Sequence, residues 1–348
     1  MISAVEQGLI FAVLALGVFL TYRILDLPDL TVDGSFTTGG GTAAILLVNG
    51  CDPFLATLAG FAAGALAGLI TGILHTVLKI DGLLASILTM IGLYSINLHI
   101  MAGPMVSVNL RNGKPVDTLF SGFRLAGDLF SWKMVLILAV AALAIKLILD
   151  WFLATNFGLA VQATGDNPTM ALADGISTRL TKNVTLMASN GLAGLSGALY
   201  CQFNGAADSQ MGVGMILVGL ASVIVGNAIL GTRWMFLATL GVIVGSVLYR
   251  LVIFWAMDLH LASAGDMKLI SAILVVIALV ISKNAWLRKV FQRLSPWRNK
   301  ADVPEPLLDP ALVAVPADDL DDAESDGSQE RGAAALPKQA PANAGKEN

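Results

Sequence analysis

Apolar runs of roughly twenty residues recur from the start of the chain to about residue 283. A helix that crosses the hydrocarbon core of a bilayer needs about 20 largely apolar residues. The candidate spans are residues 2–22, 35–50, 53–75, 83–103, 133–153, 184–204, 212–231, 234–256 and 267–283. The second and last are short and the seventh is rich in glycine, so these can be broken or re-entrant. The pattern predicts an all-α, polytopic integral membrane protein with about 8–10 transmembrane helices.

Composition supports the membrane class. The chain is 56% hydrophobic and 13% charged, whereas soluble domains carry about 25% charged residues. Its two cysteines and three histidines match no metal-binding spacing, so we expect no metal and no other cofactor. We expect Cys51 and Cys201 to pack in apolar surroundings, with a disulfide as the alternative. Glu6 and the absence of a basic leading region make residues 2–22 an uncleaved first span.

Basic residues predict the orientation, because they concentrate in the cytoplasmic loops of membrane proteins. With the N-terminus outside, eleven lysines and arginines of residues 1–300 fall on the cytoplasmic side and six on the outer side. The loop 104–132 is then external, and residues 155–183 are cytoplasmic. Residues 301–348 hold eleven acidic and three basic residues without apolar periodicity. We therefore expect residues 296–348 to form a disordered, acidic cytoplasmic tail, and residues 1–295 to form the transmembrane domain.

A five-residue sequence occurs twice. Phe54-Leu-Ala-Thr-Leu58 recurs as Phe236-Leu-Ala-Thr-Leu240, and each copy opens a span rich in glycine. The predicted topology makes the two spans run in opposite directions, and inverted repeats place a transport pathway at their interface. The alternatives are a chance match and, for the glycines, simple close packing of helices.

The polar segment 155–183 lies between two strongly apolar spans. Gly165 is expected to end one local structure, and Asp166 or Asn167 to cap the next helix. Pro168 suits the first turn of that helix, where its missing N–H costs nothing.

This short helix is predicted to cover residues 169–174 and to stop at Gly175. Met170, Ala171 and Leu172 would then be available to a partner protein. An ordinary loop with one helical turn is the alternative.

Polar residues within the other spans are few. Asp33 is expected to cap a helix that begins near Ser35, and Gly39–Gly41 would let this helix bend or unwind. Discontinuous helices line the pathway in other transporters. The alternative is that these residues simply cap a helix where it enters the membrane. The remaining candidates for hydrogen bonds between helices or for contact with a solute are Asn97, His99, Asn190 and Asn227.

Motifs for catalysis are missing from the sequence. Asn112–Pro115 lacks both the first glycine and the hydroxyl residue of a phosphate-binding loop. No catalytic set of side chains falls on one predicted membrane face. The chain is therefore not expected to be an enzyme or to bind nucleic acid, and ATP-driven work would require a separate chain.

From Gly158 to Val280 the chain resembles permease subunits of bacterial ABC importers of the branched-chain amino acid and ribose superfamily. The matching segments are Gly165–Ala171, Asn190–Leu199, Met211–Gly214 and Gly219–Gly226. Asp29–Phe36 and Asp266–Ile270 resemble the subgroup that works with substrate-binding lipoproteins of the tryptophan/tyrosine type. Cys201, Asn204, Gly205 and Asn227 depart from the expected pattern.

The resemblance implies a permease domain at residues 1–295 that imports a small solute such as an amino acid across the bacterial inner membrane. It also implies a homodimer among membrane lipids, a separate ABC ATPase and an extracytoplasmic substrate-binding protein. The ATPase-coupling residues would be Gly165, Asp166, Asn167, Pro168, Met170, Ala171 and Gly175. The pathway-lining residues would be Asp33, Ser35, Asn97, His99, Asn190 and Asn227.

An autonomous secondary transporter or channel is the alternative function. Ion-coupled carriers commonly place a charged group in the middle of the membrane. Here Glu6, Lys146 and Asp150 lie near the ends of predicted spans. This placement argues against proton coupling and leaves sodium coupling through backbone carbonyl groups open.

Overall fold

The computed structural model describes residues 1–108, 110–111, 114–120, 128–231, 234–258 and 276. Helices dominate, as the sequence predicts. They are α1 (Ile2–Val18, continued by a π-helix at Phe19–Ile24), α2 (Thr31–Val48), α3 (Pro53–Thr76), α4 (Gly82–Ile100), α5 (Asp128–Ala154), α6 (Asn156–Asp166), α7 (Pro168–Ala173), α8 (Thr178–Asn204), α9 (Met215–Leu230) and α10 (Met235–Asp258). Two small antiparallel sheets pair β1 (Met105–Ser107) with β4 (Ala206–Asp208), and β2 (Leu110–Arg111) with β3 (Lys114–Pro115).

Five helices of the described part are long and apolar enough to cross a membrane. They cover Ile2–Ile24, Pro53–Thr76, Gly82–Ile100, Trp132–Ala154 and Met235–Ala256. The all-α, multi-pass membrane architecture predicted from the sequence is therefore confirmed. The predicted ninth span at 267–283, the segment Asp266–Ile270 and the tail at 296–348 lie outside the described residues.

Helix α1 lies at the centre of the bundle. Its apolar window is 78% buried, whereas the window of α5 is 22% buried and presents leucines and tryptophans outward. α1 packs against α5, α8, α9 and α10. Phe11 of α1 contacts Phe36 and Tyr200, with ring centroids 6.1 and 5.3 Å apart. α1 is apolar on all sides and is buried by its neighbours. The outward faces of neighbours such as α5 are apolar and therefore suited to contact with lipid.

Glycines bring α2, α3 and α8 into backbone contact. A side chain at Gly39 would collide with the Gly194 carbonyl group, and one at Gly64 would collide with the Asn190 carbonyl oxygen. One at Gly60 would collide with Ala198 and with the Gly39 carbonyl oxygen. The expectation that α2 unwinds at Gly39–Gly41 is wrong, because the helix runs unbroken to Val48. Small residues at a helix interface permit close approach of the two backbones. These glycines therefore serve close packing of the helices.

The two copies of the repeated sequence begin corresponding helices. Residues 54–58 open α3, which packs on α8, and residues 236–240 open α10, which packs on α9 and α1. Gly245 of α10 lies against Ser222 of α9, so the close packing predicted from the glycine spacing is confirmed. The opposite direction of the two copies stays a prediction.

Lys146 of α5 forms a buried ion pair with Asp150. Its ammonium group also lies 3.2 Å from the centre of the Phe236 ring, and Thr239 donates to Asp150 Oδ1 at 2.7 Å. The i,i+4 spacing of the two residues in the sequence predicts this pairing, and the structure confirms it. Lys146 is 0% exposed and joins α5 to α10. That the last turns of this span leave the bilayer stays a prediction from the sequence.

We expect Lys146→Met to lower the free energy of unfolding by about 3 kcal/mol, because it leaves the Asp150 carboxylate without its cation. Thermal unfolding of the purified protein in detergent measures this effect. The double variant Lys146→Met/Asp150→Asn is the control, and it should unfold closer to wild type because no charge is left unpaired. Equal destabilisation of the two variants would contradict the prediction.

Candidate functional site

The polar segment between α5 and α8 folds into two short helices, α6 and α7. Thr155 caps α6 by accepting a hydrogen bond from Gly158 N at 3.2 Å. Asn167 caps α7, because its Oδ1 accepts from Thr169 N at 3.1 Å and from Met170 N at 3.0 Å. Pro168 is the first residue of α7, and Gly175 follows the helix with a φ of 81°. The predicted short helix is therefore present, and of the two predicted caps Asn167 serves as the cap of α7.

Helix α7 exposes two apolar side chains. Met170 is 63% exposed and Leu172 is 58% exposed. The prediction that Ala171 faces a partner is wrong, because Ala171 is 2% exposed. Consecutive residues of an α-helix point about 100° apart, so the residue between two exposed ones turns toward the protein. Asp166 and Asp174 are exposed beside them.

The base of the segment is fixed to the membrane helices. Gly165 is the penultimate residue of α6, so a local structure ends one residue after the predicted position. A side chain at Gly165 would collide with the carbonyl oxygen of Ile24. Thr164 of α6 and Thr181 of α8 are buried and joined by a hydrogen bond of 3.0 Å. The segment therefore contacts the end of the central helix and the beginning of α8.

A buried polar cluster joins the segment before α2 to α8. Asn190 Nδ2 donates to Asp29 Oδ2 at 2.6 Å, and Ser35 Oγ donates to Asn190 Oδ1 at 2.7 Å. Asp29 Oδ1 also accepts from Thr31 N at 2.9 Å. Sequence reasoning gave Asp29 no role; the aspartate lies two residues before the first helical residue and accepts from a backbone N–H two residues ahead, as in an Asx-turn. The cluster brings together two predicted pathway residues, Ser35 and Asn190.

Asp33 caps a helix other than the predicted one. It lies inside α2, and its carboxylate accepts from Gly214 N and Ile216 N, both at 2.8 Å, at the beginning of α9. The 16 residues of α9 extend about 24 Å at 1.5 Å per residue, less than the ~30 Å of a hydrocarbon core. This helix is therefore too short to span the core by itself, and the Asp33 carboxylate complements the partial positive charge of its half-buried N-terminus.

The other predicted pathway residues lie apart. Asn97 is buried beside α2, and its Nδ2 is 3.5 Å from the Gly34 carbonyl oxygen. Among the described residues, the side-chain oxygens of Asn97 and Asn227 have no hydrogen-bond donor. His99 lies on the exposed face of α4 and contacts the Ser95 carbonyl oxygen at 2.8 Å. Asn97 thus lies near Asp33 and Ser35 at the start of α2. His99 and Asn227 do not lie in this group.

Several predicted cytoplasmic residues share one end of the bundle. Lys182 contacts His75 at 3.2 Å, and Gly82 packs on Leu27 of the connection after α1. Helix α6 packs on the end of α1 and on α8 at this end. β1 and β4 pair beyond the other end of α8, where Val108 N donates to the Gly205 carbonyl oxygen at 2.8 Å.

Residues 1–282 match the family model described as branched-chain amino acid transport system / permease component. A tyrosine transport system permease protein of Clostridioides difficile is 41% identical over 300 residues, covering 86% of this chain and 97% of the relative. A galactofuranose transporter permease protein of Escherichia coli is 28% identical over 67% of this chain and 66% of its own length.

A probable branched-chain amino acid transport permease protein of Methanocaldococcus jannaschii is 30% identical over 57% of this chain and 64% of its own length. No solved structure matches the chain significantly. The family model covers most of the chain, and the apolar helices it spans are those of a multi-pass membrane protein. The chain therefore belongs to the branched-chain amino acid transport permease family and is the permease component of an ABC-type transport system.

Proposed function

We propose that this permease imports tyrosine or a related amino acid, driven by ATP hydrolysis on a separate chain. The solute class is supported by the Clostridioides difficile relative, which is named a tyrosine transport system permease protein and is 41% identical in sequence to this chain. A separate ATPase is supported by the sequence, which has no phosphate-binding loop. The polar residues near the start of α2 suit a small polar solute.

The observation that carries the proposal is the pair of exposed apolar side chains on α7. Met170 and Leu172 lie on a capped helix whose base contacts the rest of the protein at Gly165 and Thr164. Exposed apolar groups surrounded by polar residues are typical of protein–protein contact sites. The ABC ATPase is the proposed partner, and Gly165–Gly175 is the proposed coupling segment.

The contacts of this segment suggest how force reaches the membrane. Displacement of α6 acts on the end of α1 through Ile24 and on α8 through Thr181. α8 carries Asn190, and Ser189 Oγ donates to the Gly17 carbonyl oxygen of α1 at 2.8 Å. ATP-driven movement of α6 and α7 would therefore shift α1 and α8, and α8 carries Asn190 of the buried polar cluster.

Pathway roles are proposed for Asp33, Ser35, Asn97 and Asn190. These four side chains lie on or beside the first turns of α2, and Asp33 also accepts a hydrogen bond at the N-terminus of α9. Helix ends inside the membrane bind polar solute groups in other transporters. The pathway-lining roles of His99 and Asn227 stay predictions from the sequence.

The remaining assembly is proposed from the family. Two copies form the pathway among membrane lipids, and a substrate-binding protein docks on the outer end near β1 and β4. Residues 1–295 form the permease domain, and residues 296–348 form a cytoplasmic tail. The cytoplasmic side of the tail is supported by the excess of basic residues predicted on that side.

We expect Met170→Glu to abolish co-purification of the ATPase in detergent and ATP-dependent uptake in reconstituted vesicles. A charged group at the centre of an apolar contact costs about 2–4 kcal/mol, a loss of more than tenfold in affinity. Met170→Leu is the matched control, because it keeps apolar bulk at the same exposed position.

The two variants should have equal unfolding temperatures, since residue 170 is largely exposed. If the Met170→Glu variant still binds the ATPase, α7 is not the contact site. Uptake that proceeds without any ATPase would favour an autonomous carrier.

A further inference from the structure

A basic groove lies at the predicted cytoplasmic end, between the end of α3, the beginning of α4 and the beginning of α8. Its volume is about 310 Å³. Lys79, Arg179, Lys182 and His75 contribute its basic side chains, and Asp81 and Thr178 are part of its wall. The groove is separate from the buried cluster around Asn190 and from the apolar face of α7.

The charge in this groove is not neutralised by the described part of the chain. Asp81 is its acidic residue, and this carboxylate already caps α4 by accepting from Leu83 N at 3.0 Å and from Leu84 N at 3.3 Å. Within the described residues, no carboxylate forms an ion pair with Lys79, Arg179 or Lys182. Three positive charges therefore face a cavity that is large enough for a phosphate group.

Hydrogen bonds orient one of these cations. His75 Nδ1 lies 2.9 Å from the Ile80 carbonyl oxygen, so Nδ1 must carry the proton and donate it. The other ring nitrogen, Nε2, then has a free lone pair and accepts from Lys182 Nζ at 3.2 Å. This arrangement fixes the position of the lysine ammonium group in the wall of the groove.

Lys79 occupies a backbone conformation that favours glycine. Its φ is 56°, in the left-handed region, where a lysine is strained. A glycine there would relieve the strain, so the lysine contributes something other than backbone stability. Its place in the wall of the basic groove suggests what that contribution is.

Several residues next to the groove lining in the sequence, here called the rim residues, are apolar and exposed. Val77 and Leu78 are each 60% exposed, and Leu83, Leu84 and Leu180 are 43%, 51% and 55% exposed. These residues stand at the ends of α3, α4 and α8, where spanning helices meet the headgroup region of a bilayer. A ligand with a phosphate group and hydrocarbon chains fits both parts, whereas a soluble anion leaves the rim uncovered.

We propose that this groove binds the headgroup of an anionic phospholipid, with the phosphate between Lys79, Arg179 and Lys182. The acyl chains would lie along Leu83, Leu84 and the other rim residues. Basic pockets between membrane helices bind acidic headgroups in this manner. The proposal depends on the membrane architecture and not on the identity of the transported solute.

Phosphatidylglycerol is the probe, with phosphatidylcholine as the neutral comparison, added to the full-length protein in detergent. Binding is measured by native mass spectrometry and by the rise in unfolding temperature. Wild type should prefer phosphatidylglycerol. Lys79→Gly and Arg179→Gln should each weaken that binding about fivefold, the effect of one basic residue near a membrane surface.

Two controls separate the site from general effects. Lys79→Gly should unfold at a temperature equal to or above that of the lipid-free wild type, because the strain at φ 56° is relieved. Arg23→Gln removes an exposed basic residue outside the groove and should keep the preference.

Four results would overturn the proposal. Wild type with equal affinity for both lipids, or Arg23→Gln with the same loss as Arg179→Gln, would show no specific site. Full competition by inorganic phosphate would identify a site for a soluble anion. Loss of the preference when the ATPase is bound would assign the groove to that protein interface.

Discussion

Replacement of Gly194 by leucine is expected to leave no folded permease. A side chain at this position of α8 would collide with the carbonyl oxygen of Gly60 in α3, and the backbone of Gly194 also lies against Gly39 of α2. Overpacking a well-packed interior costs about 1–3 kcal/mol even where side chains can adjust. Here the obstacle is backbone on two helices, so we expect more than about 3 kcal/mol against a total stability of about 5–15 kcal/mol.

The measurement is the amount of monodisperse protein in size-exclusion chromatography after extraction in mild detergent, followed by thermal unfolding. Gly92→Leu is the matched control. Gly92 is also inside a helix, but nothing lies within 4 Å of the position of its added carbon. That variant should match wild type. Equal yields of the Gly194 and Gly92 variants would show that the contact of α8 with α2 and α3 is not needed for folding.

Asp33→Ala is expected to destabilise the protein by about 3 kcal/mol, because hydrogen bonds to a charged group contribute about 1.5–3 kcal/mol each. The variant leaves Gly214 N and Ile216 N without an acceptor at the half-buried beginning of α9. It also removes the negative charge that complements that helix end. Thermal unfolding in detergent gives the stability, and uptake per folded molecule in vesicles gives the transport effect.

Asp52→Ala is the comparison for this variant. Asp52 also accepts two backbone hydrogen bonds at a helix start, from Phe54 N and Leu55 N, but the site is exposed. Water replaces an exposed cap at a cost of about 1 kcal/mol. The difference between the two alanine variants therefore measures the effect of burial. Equal losses would mean that the beginning of α9 is accessible to water.

The features that could be predicted from the sequence are local ones. Asn167, Pro168 and Gly175 determine a short helix through backbone chemistry within a few residues, and α7 forms between them. Apolar runs of sufficient length predict spanning helices for the same reason. The i,i+4 spacing of Lys146 and Asp150 likewise predicts their ion pair.

The wrong predictions concern contacts between distant parts of the chain. Asp33 is followed by a helix, so sequence reasoning assigned it to α2, whereas its partners are 181 and 183 residues away. The exposure of Ala171 depends on where α6 and α7 rest on α1 and α8. No local pattern carries that information, because it is set by the packing of other helices.

The glycine contacts of α2, α3 and α8 also limit how the permease can change shape. Where backbone touches backbone, there are no rotamers to rearrange, so these three helices cannot slide past one another in small steps. They are expected to move as one rigid body during a transport cycle. Helix α4 meets α2 at Gly34 through the side chain of Leu93, and such contacts can repack. Hinges are thus expected around the trio, and a cross-link between α2 and α8 should leave transport intact.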